Sequence, residues 1–279
     1  MRAAAQCARR LLLVGLATLS PVSVSAQNEA AGAPADWSYF GGTTAFTRYA
    51  AIDEIDRHNV ANLRILWRRP AVDAVFTRAF PELRPSNYLR STPVLIDGVL
   101  YASNAVGLVE AFDPGTGETV WMQRPQTPTL EGVAGRGAYG VAYWTDGSDR
   151  RILSLRNTHL YALDADTGRP IQAFGDGGRV DLTPEGARRA NGGSSPIVVG
   201  DVVVVAGTVD GAGDSGVRWK GSAPENVRGY DARTGRLRWT FHVVPQSGEF
   251  GAETWGAGSL TESGDLGAWC CLSADPELG

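Results

Sequence analysis

One short phrase occurs three times in this chain, and it restricts the possible folds more than any other feature. Each copy reads Asp-x-x-Thr-Gly, at residues 113–117, 164–168 and 231–235. The Asp can accept hydrogen bonds from backbone N–H groups two or three residues on, and the Gly supplies the positive φ at which the chain reverses. The copies begin 51 and 67 residues apart, which is too far for a solenoid coil but suits four-stranded blades with loop insertions. The repeat therefore predicts an all-β propeller.

Apolar runs and tight turns around these motifs indicate where each blade begins. The dipeptide Asp97-Gly98 separates two apolar runs, which is a strong hairpin signal. Trp121 and Trp239 follow the first and third motifs and would pack against a neighbouring blade, whereas Gln172 stands where the second blade would carry its Trp. The predicted segments are blade one at 91–121, blade two at 141–171, blade three at 195–239, a strand at 63–67 that completes the last blade, and the start of a fourth blade at 269–279.

The N-terminus reads as a secretory signal peptide. Arg9 and Arg10 precede an apolar run at 11–19, and Val-Ser-Ala at 24–26 fits a small-residue cleavage site. The run is too short to span a bilayer, although an uncleaved anchor is the alternative. We therefore expect a periplasmic protein, soluble or peripherally associated with a membrane. The expected division is a signal peptide at 1–26, a linker at 27–35 and the propeller part at 36–279.

Composition and charge narrow the function classes. The 35 Gly and 15 Pro among 279 residues suit a turn-dense β protein. Removing residues 1–26 takes away three arginines and no acid, so the formal net charge goes from −4 to −7. This balance offers no basic surface for nucleic acid. Only Cys270 and Cys271 then remain; an eight-membered disulfide between them is possible in that compartment, but two thiols are the simpler expectation.

Several segments together resemble the pyrroloquinoline-quinone-dependent dehydrogenases, the superfamily of quinoprotein alcohol and glucose dehydrogenases. The resemblance extends over nearly all of 36–279. It implies an eight-bladed propeller that holds the quinone and a calcium ion on its axis, of which this chain supplies about three blades, a closing strand and the start of another. The segments that carry it are Asp36-Trp37, Gly41-Gly42, Thr47-Arg48-Tyr49, the three Asp-x-x-Thr-Gly repeats, Val227-Arg228-Gly229-Tyr230-Asp231 and Glu253-Thr254-Trp255.

The resemblance also implies roles for five residues. Trp269 is similar to the family's floor tryptophan, which stacks under the quinone, and Arg136 to an arginine near the quinone oxygens. Ser194 and Thr208 resemble hydroxyls that bond cofactor carboxylates, and Glu225 resembles a calcium-binding carboxylate. Each has a plainer alternative: a blade-packing Trp, a solvated Arg or Glu in a loop, or common hydroxyls at strand ends.

Some positions depart from the family pattern. Arg136 is displaced by three residues from the usual arginine, and Tyr139 takes its place in frame. Glu225 lies one residue closer to the following Arg-Gly than in the related pattern. The family's catalytic Asp and its Gly-Asn-Pro segment would lie beyond Gly279, so we predict no catalytic residue among these 279 and no activity for this chain alone.

Three functions remain open from the sequence. The first is part of a secreted quinoprotein dehydrogenase that oxidises the CH–OH group of a small alcohol or sugar and passes electrons to a quinone or cytochrome. The second is a cofactor-free periplasmic propeller scaffold of the outer-membrane-assembly type. The third is a truncated or decayed reading frame, whose open sheet edges would make it prone to associate.

Overall fold

A computed structural model describes residues 36–87, 89, 91–183, 194–206, 226–256, 258–263, 266–268 and 271–278. The chain separates into a unit at 1–33 and a unit at 34–279, and the description concerns the second. Its strands are β1 (Val94–Ile96), β2 (Val99–Ser103), β3 (Val109–Phe112), β4 (Thr119–Met122), β5 (Gly137–Thr145), β6 (Arg150–Arg156), β7 (His159–Asp164), β8 (Arg179–Asp181), β9 (Ile197–Val199), β10 (Val202–Val205), β11 (Val227–Asp231) and β12 (Leu237–Phe241). Its α-helices are α1 (Ala74–Ala79), α2 (Leu130–Val133) and α3 (Ser259–Glu262), and 3-10 turns lie at Val60–Asn62 and Ala252–Thr254.

The twelve strands form three antiparallel sheets of four, each in sequence order. The sheets are β1 to β4, β5 to β8 and β9 to β12. The first strands lie side by side, because β5 neighbours both β1 and β9 and a parallel bridge joins Thr92 to Gly140. One apolar cluster fills the space between the first and second sheets, and another fills the space between the second and third. The molecule is a partial β-propeller of three blades, as the sequence predicts.

The three motif turns form the hydrogen bonds that the repeat predicts. Asp113 Oδ1 accepts hydrogen bonds from the backbone N–H groups of Gly115 (2.9 Å) and Thr116 (2.7 Å) and from the Thr116 hydroxyl (3.0 Å). The other two motifs repeat the bonds to Thr, and the closing glycines of all three have φ of 68° to 73°. Asp97 and Gly98 also have positive φ, as a two-residue hairpin of the I′ type requires.

Each motif turn receives an aromatic side chain from the preceding part of the chain. The Trp67 indole N–H donates to the carbonyl of Pro114 (2.8 Å), and that of Trp121 donates to Ala165 (2.9 Å). The third turn is instead contacted by Phe174, which is fully buried beside Gly235. Gln172, which stands at the frame position of the missing Trp, is exposed. The chain continues two residues further before its aromatic side chain meets the next blade.

Residues 63–67 do not form the predicted closing strand. This segment has no strand partner among the described residues, and Leu63, Ile65 and Leu66 are 60%, 68% and 80% exposed. A strand requires a partner with which to share its backbone hydrogen bonds, and the described sheets supply none here. Trp67 at its end nevertheless docks on the first motif turn.

The predicted start of a fourth blade shows a turn but no strand in the part that the structure describes. Asp275 Oδ1 accepts hydrogen bonds from the backbone N–H groups of Glu277 (2.9 Å) and Leu278 (3.3 Å), which is the expected turn. Residues 271–274 contain no assigned strand.

Polar contacts join blades two and three at the end of β5. The Trp144 indole N–H donates to Asp201 (3.1 Å), and Arg233 forms an ion pair with the same carboxylate (2.6 Å). The guanidinium carbon of Arg233 lies 4.8 Å from the centre of the Trp144 ring, at cation–π distance. Hydrogen bonds from Arg233 and Trp144, together with the charge of Arg233, lower the pKa of Asp201 despite the opposing effect of desolvation.

We expect acid to destabilise the fold between about pH 4 and pH 2. Backbone N–H groups of Asp149 and Ser148 lower the pKa of Asp146 to about 2. Burial raises the pKa of Asp231, but hydrogen bonds from Arg238 and Thr234 outweigh it and hold the pKa well below 3.8. Because the folded pKa values are lowered, this stability is present above the unfolded pKa and is lost as the pH falls through the folded one.

Thermal unfolding followed by circular dichroism tests this pH dependence. The midpoint should hold steady from pH 7 to 5 and fall steeply below pH 4. Asp231→Asn should lower the midpoint at pH 7, and its difference from the unsubstituted protein should shrink as the pH falls below 4, because protonation of Asp231 in the unfolded state removes the advantage of its lowered pKa. A midpoint unchanged between pH 7 and 2.5 would contradict the assignment.

Candidate cofactor site

The first strands of the three blades begin on one side of the molecule. We call this side the start face and define it by residues 91–92, 136–140 and 194–195. Blades one and two meet there through a hydrogen bond from the Thr92 N–H to the Tyr139 carbonyl (2.7 Å). Blade three joins them at Ser195, which packs closely on Gly140. A β-carbon added to Gly140 would lie only 3.1 Å from the Ser195 hydroxyl oxygen. The start face therefore brings together residues that are about 100 positions apart in sequence.

Arg136 lies on the start face with its side chain exposed. Its backbone is fixed on both sides by Asn157, whose Oδ1 accepts from the Arg136 N–H (2.9 Å) and whose N–H donates to the Arg136 carbonyl (3.0 Å). Gly107 packs against the same peptide, since a β-carbon there would be 2.5 Å from the Arg136 carbonyl carbon. The loop is rigidly held, and its guanidinium is open to a ligand in solution.

A buried arginine supports this loop from below. Arg156, only 4% exposed, donates to the backbone carbonyls of Val106 (3.0 Å), Gly132 (3.1 Å) and Val133 (2.8 Å). Desolvation lowers the pKa of its guanidinium, which nonetheless stays charged because an arginine pKa starts so high. Arg156 could not be recognised from the sequence, because the carbonyls that it contacts are about 25 and 50 positions away.

A β-bulge follows Arg136 at the start of β5. Gly137 pairs with Arg156, and the next pair is Val141 with Ser154. Strand β5 therefore advances by four residues where β6 advances by two. The two additional residues lie within 138–140, the segment that contains Tyr139. Bulges of this kind redirect a strand and are frequent beside functional sites.

Ser194 lies next to the segment that leads to Trp269. Its side chain is fully buried, and its hydroxyl donates to the Ala268 carbonyl at the long distance of 3.5 Å. Trp269 follows Ala268 directly in sequence. The structure thus brings Arg136 and Ser194 to the same face, and it joins Ser194 to the residue before the predicted platform. Trp269, Thr208 and Glu225 themselves lie outside the described residues.

Three buried serine hydroxyls near the start of β5 have no hydrogen-bond partner within the described ranges. They are Ser103, Ser154 and Ser195. Ser103 is next to Gly137, Ser154 pairs with Val141, and Ser195 is next to Gly140. A buried hydroxyl without a partner is costly and usually signals a water molecule or a ligand. Hydroxyls and a nearby guanidinium are the donor types that suit a ligand with several carboxylates.

The described residues were searched for metal ligands and disulfides. Within the described ranges, no three His, Cys, Asp or Glu side chains lie close enough together to bind a metal. Cys271 is disulfide-bonded, so the expectation of two thiols at 270–271 is wrong; the other two cysteines, Cys7 and Cys270, lie outside the described residues.

No helix of the described part combines the length and apolarity that crossing a membrane would need.

The geometry defines the class of protein: an arc of a β-propeller with a guanidinium and several serine hydroxyls near the start of its first strands. A family model described as "PQQ: Glucose/ethanol/alcohol dehydrogenase, beta-propeller domain" matches residues 37–279. The chain therefore belongs to the family of pyrroloquinoline-quinone (PQQ)-dependent dehydrogenases, as the resemblance in its sequence predicts.

Curated relatives are dehydrogenases of greater length. The chain is 29% identical over 263 residues to a quinohemoprotein alcohol dehydrogenase of Comamonas testosteroni, with 87% of this chain and 32% of the relative aligned. It is 29% identical over 224 residues to the dehydrogenase subunit of a quinone alcohol dehydrogenase of Gluconacetobacter polyoxogenes, covering 76% and 26% respectively. It is 28% identical over 246 residues to quinoprotein glucose dehydrogenase A of Acinetobacter calcoaceticus, covering 80% and 30%. The chain thus spans about a third or less of these relatives.

Solved structures agree on the fold. The quinohemoprotein alcohol dehydrogenase of Comamonas testosteroni superimposes with a TM-score of 0.62 at 25% identity, covering 88% of this chain and 34% of the other. The corresponding enzyme ADHIIG of Pseudomonas putida gives a TM-score of 0.65 at 25% identity, covering 88% and 33%.

Proposed function

We propose that this chain forms the part of a secreted PQQ-dependent dehydrogenase that contributes one side of the cofactor site. The whole enzyme oxidises the CH–OH group of a small alcohol or sugar and transfers electrons to a quinone or cytochrome. The observation that carries the proposal is the match of the family model over 37–279. The cofactor-free scaffold is not favoured, because both the family model and the curated relatives are dehydrogenases.

The residues of this chain would have distinct roles at the site. Bound PQQ supplies an orthoquinone that accepts the two electrons of the alcohol. Trp269 would offer a flat surface for its rings. Arg136, Ser194 and Thr208 would donate to its carboxylates and fix its orientation. Glu225 would supply an oxygen ligand to calcium.

The proposal assigns no catalytic base to these 279 residues. Alcohol oxidation needs a carboxylate or imidazole within hydrogen-bond reach of the hydroxyl proton. Of the three histidines, His242 is engaged with Glu249 (2.7 Å) beyond β12, and His159 lies beside Thr158 (2.8 Å) in blade two. We place the base in a later part of the enzyme, and we place the protein in the periplasm on the strength of the predicted signal peptide.

Cofactor binding and turnover test the proposal separately. Isothermal titration of the 279-residue chain with PQQ and calcium should show binding, and the same mixture should reduce no electron-accepting dye. Trp269→Ala should weaken binding about tenfold through loss of ring stacking. Trp239→Ala, which removes an indole from the outer strand β12, is the matched control and should leave the affinity unchanged. Turnover by this chain, or equal affinity of the two variants, would refute the assignment.

A further inference from the structure

Arg156, the last residue of β6, connects three segments of the chain through its buried guanidinium. Its Nε donates to the carbonyl of Val106 in the loop between β2 and β3, and its Nη2 donates to those of Gly132 and Val133. The last two residues end α2, where carbonyls have no partner within the helix. Arg156 therefore joins blade one, blade two and the segment that leads from α2 to β5.

The backbone at Gly135 packs directly on the same guanidinium. A β-carbon added to Gly135 would lie 2.7 Å from Nη2 and 2.9 Å from Cζ of Arg156. Gly135 is not among the glycines with positive φ, so the position needs glycine for space and not for its backbone conformation. Residues 132–135 thus pass over the guanidinium at contact distance, and Arg136 follows them directly in sequence.

Asn157 provides a second connection from Arg156 to Arg136. It follows Arg156 in sequence and has a left-handed backbone (φ 52°), which asparagine adopts more readily than most residues. Its Oδ1 and its N–H bond the two sides of Arg136 at 2.9 and 3.0 Å. A displacement of Arg156 would therefore reach Arg136 by two routes, one through residues 132–135 and one through Asn157.

Arg156 differs in its charge environment from the other buried arginine of β6. Arg151, near the opposite end of the strand, pairs with Asp149. It also donates to the carbonyls of Ala232 (2.9 Å) and Arg233 (2.6 Å). No carboxylate among the described residues pairs with Arg156, so carbonyl dipoles stabilise its charge without neutralising it. Because a buried charge is normally paired, this one leaves a positive potential at its end of blade two.

We propose that Arg156 is a positioning residue for the cofactor site: it fixes the backbone that presents Arg136 to an anionic group of the cofactor. The proposal rests on the proposed function of Arg136. Arg156 does not contact the cofactor in this role; it acts through the carbonyls at the end of α2 and in the loop between β2 and β3. Its charge adds to that of Arg136 and favours an anion at the start face.

Arg156→Lys tests the proposal, because it keeps the charge and removes the planar fork that bonds both segments at once. Amide hydrogen exchange of the 279-residue chain should show the N–H groups of Arg136 and Asn157 exchanging about tenfold faster, as expected for the loss of one buried hydrogen bond. Titration with PQQ and calcium should show an affinity about tenfold weaker. Arg151→Lys is the matched control, since Arg151 is an equally buried arginine that binds carbonyls of blade three, and it should change neither reading.

Gly135→Ala approaches the same contact from the other side. Its methyl group would displace the guanidinium while Arg156 itself is kept. The variant should therefore reproduce both the faster exchange at Arg136 and the weaker affinity. If it changed neither, the packing of residues 132–135 on Arg156 would have no part in holding Arg136, and the proposal would fail.

The two readings separate this proposal from the proposed function. Unchanged exchange at Arg136 in Arg156→Lys would overturn the positioning role, whatever the cofactor does. With Arg136→Met already in place, Arg156→Lys should weaken binding no further; additive losses would also overturn the proposal, because Arg156 would then act by another route. Failure of the unsubstituted chain to bind PQQ would instead refute the proposed function and the role of Arg156 at the cofactor site, while the exchange result would still decide whether Arg156 holds the loop.

Discussion

Replacing Trp121 by Ala should lower the free energy of unfolding by about 3–5 kcal/mol, the range for removing a large aromatic side chain from a packed site. The Trp121 ring lies over Gly168 of the second motif turn and 5.8 Å from the Tyr101 ring, and its N–H donates to Ala165. Its loss would remove both the apolar contact and the hydrogen bond that join blades one and two. Urea denaturation followed by far-ultraviolet circular dichroism measures the change.

Trp239 provides the control within the same motif. It occupies the corresponding position in blade three, but it is 41% exposed and its ring lies against Gly229 of its own sheet. Trp239→Ala should therefore cost less than about 1.5 kcal/mol. Stability is a small difference, about 5–15 kcal/mol for a domain, so the two variants should be readily distinguished. Equal losses would mean that docking on the neighbouring turn contributes nothing beyond the sheet itself.

Phe174→Ala should produce a second large loss, again about 3–5 kcal/mol. Phe174 is fully buried and lies 3.3 Å from a β-carbon built on Gly235, and the adjacent Gly175 N–H donates to the Thr234 carbonyl (2.9 Å). The substitution would leave a cavity between blades two and three. The same urea titration applies, and the midpoint should fall without a change in its slope, because the surface exposed on unfolding stays almost the same.

Gln172→Ala is the matched control for this prediction. Its side chain is exposed, and its hydrogen bond to the Pro170 carbonyl (3.3 Å) is local. Its replacement should therefore change stability by no more than about 0.5 kcal/mol. If Gln172→Ala were the more damaging variant, the docking role would have to return to residue 172, where the motif frame alone places it.

Gln172 and Phe174 show where the spacing of the motif stops predicting the position of the docking side chain. We call this spacing, from the motif Gly to the residue four positions later, the motif frame. The frame fixes a Trp four residues after the Gly in blades one and three, where a strand follows the turn directly. In blade two the strand β8 does not begin until Arg179, and the intervening turns of 171–178 move the docking aromatic side chain. Nothing within the motif itself encodes that path, so the frame placed the contact two residues too early.

The candidate site divides in a similar way. The sequence identified Arg136 and Ser194 through their resemblance to family positions, and the structure brings both to the start face. It assigned no role to Arg156 or Tyr39, because the groups that these side chains contact are distant in sequence. Tyr39 and Leu272 are 233 positions apart, and only the arrangement of the blades brings them together.

The sequence by itself determined the repeated turns and the hairpins, because each depends on hydrogen bonds between residues a few positions apart. The sheet order follows because strands that are consecutive in the chain pair with each other. An Asp, a Thr and a Gly at fixed spacing can form their turn without reference to the rest of the molecule. Tertiary structure decided which aromatic side chain docks on each turn, left residues 63–67 without a strand partner in the part of the chain that is described, and brought Tyr39 to Leu272. Those contacts need surfaces that exist only after the blades have packed, since the groups that meet are distant in sequence.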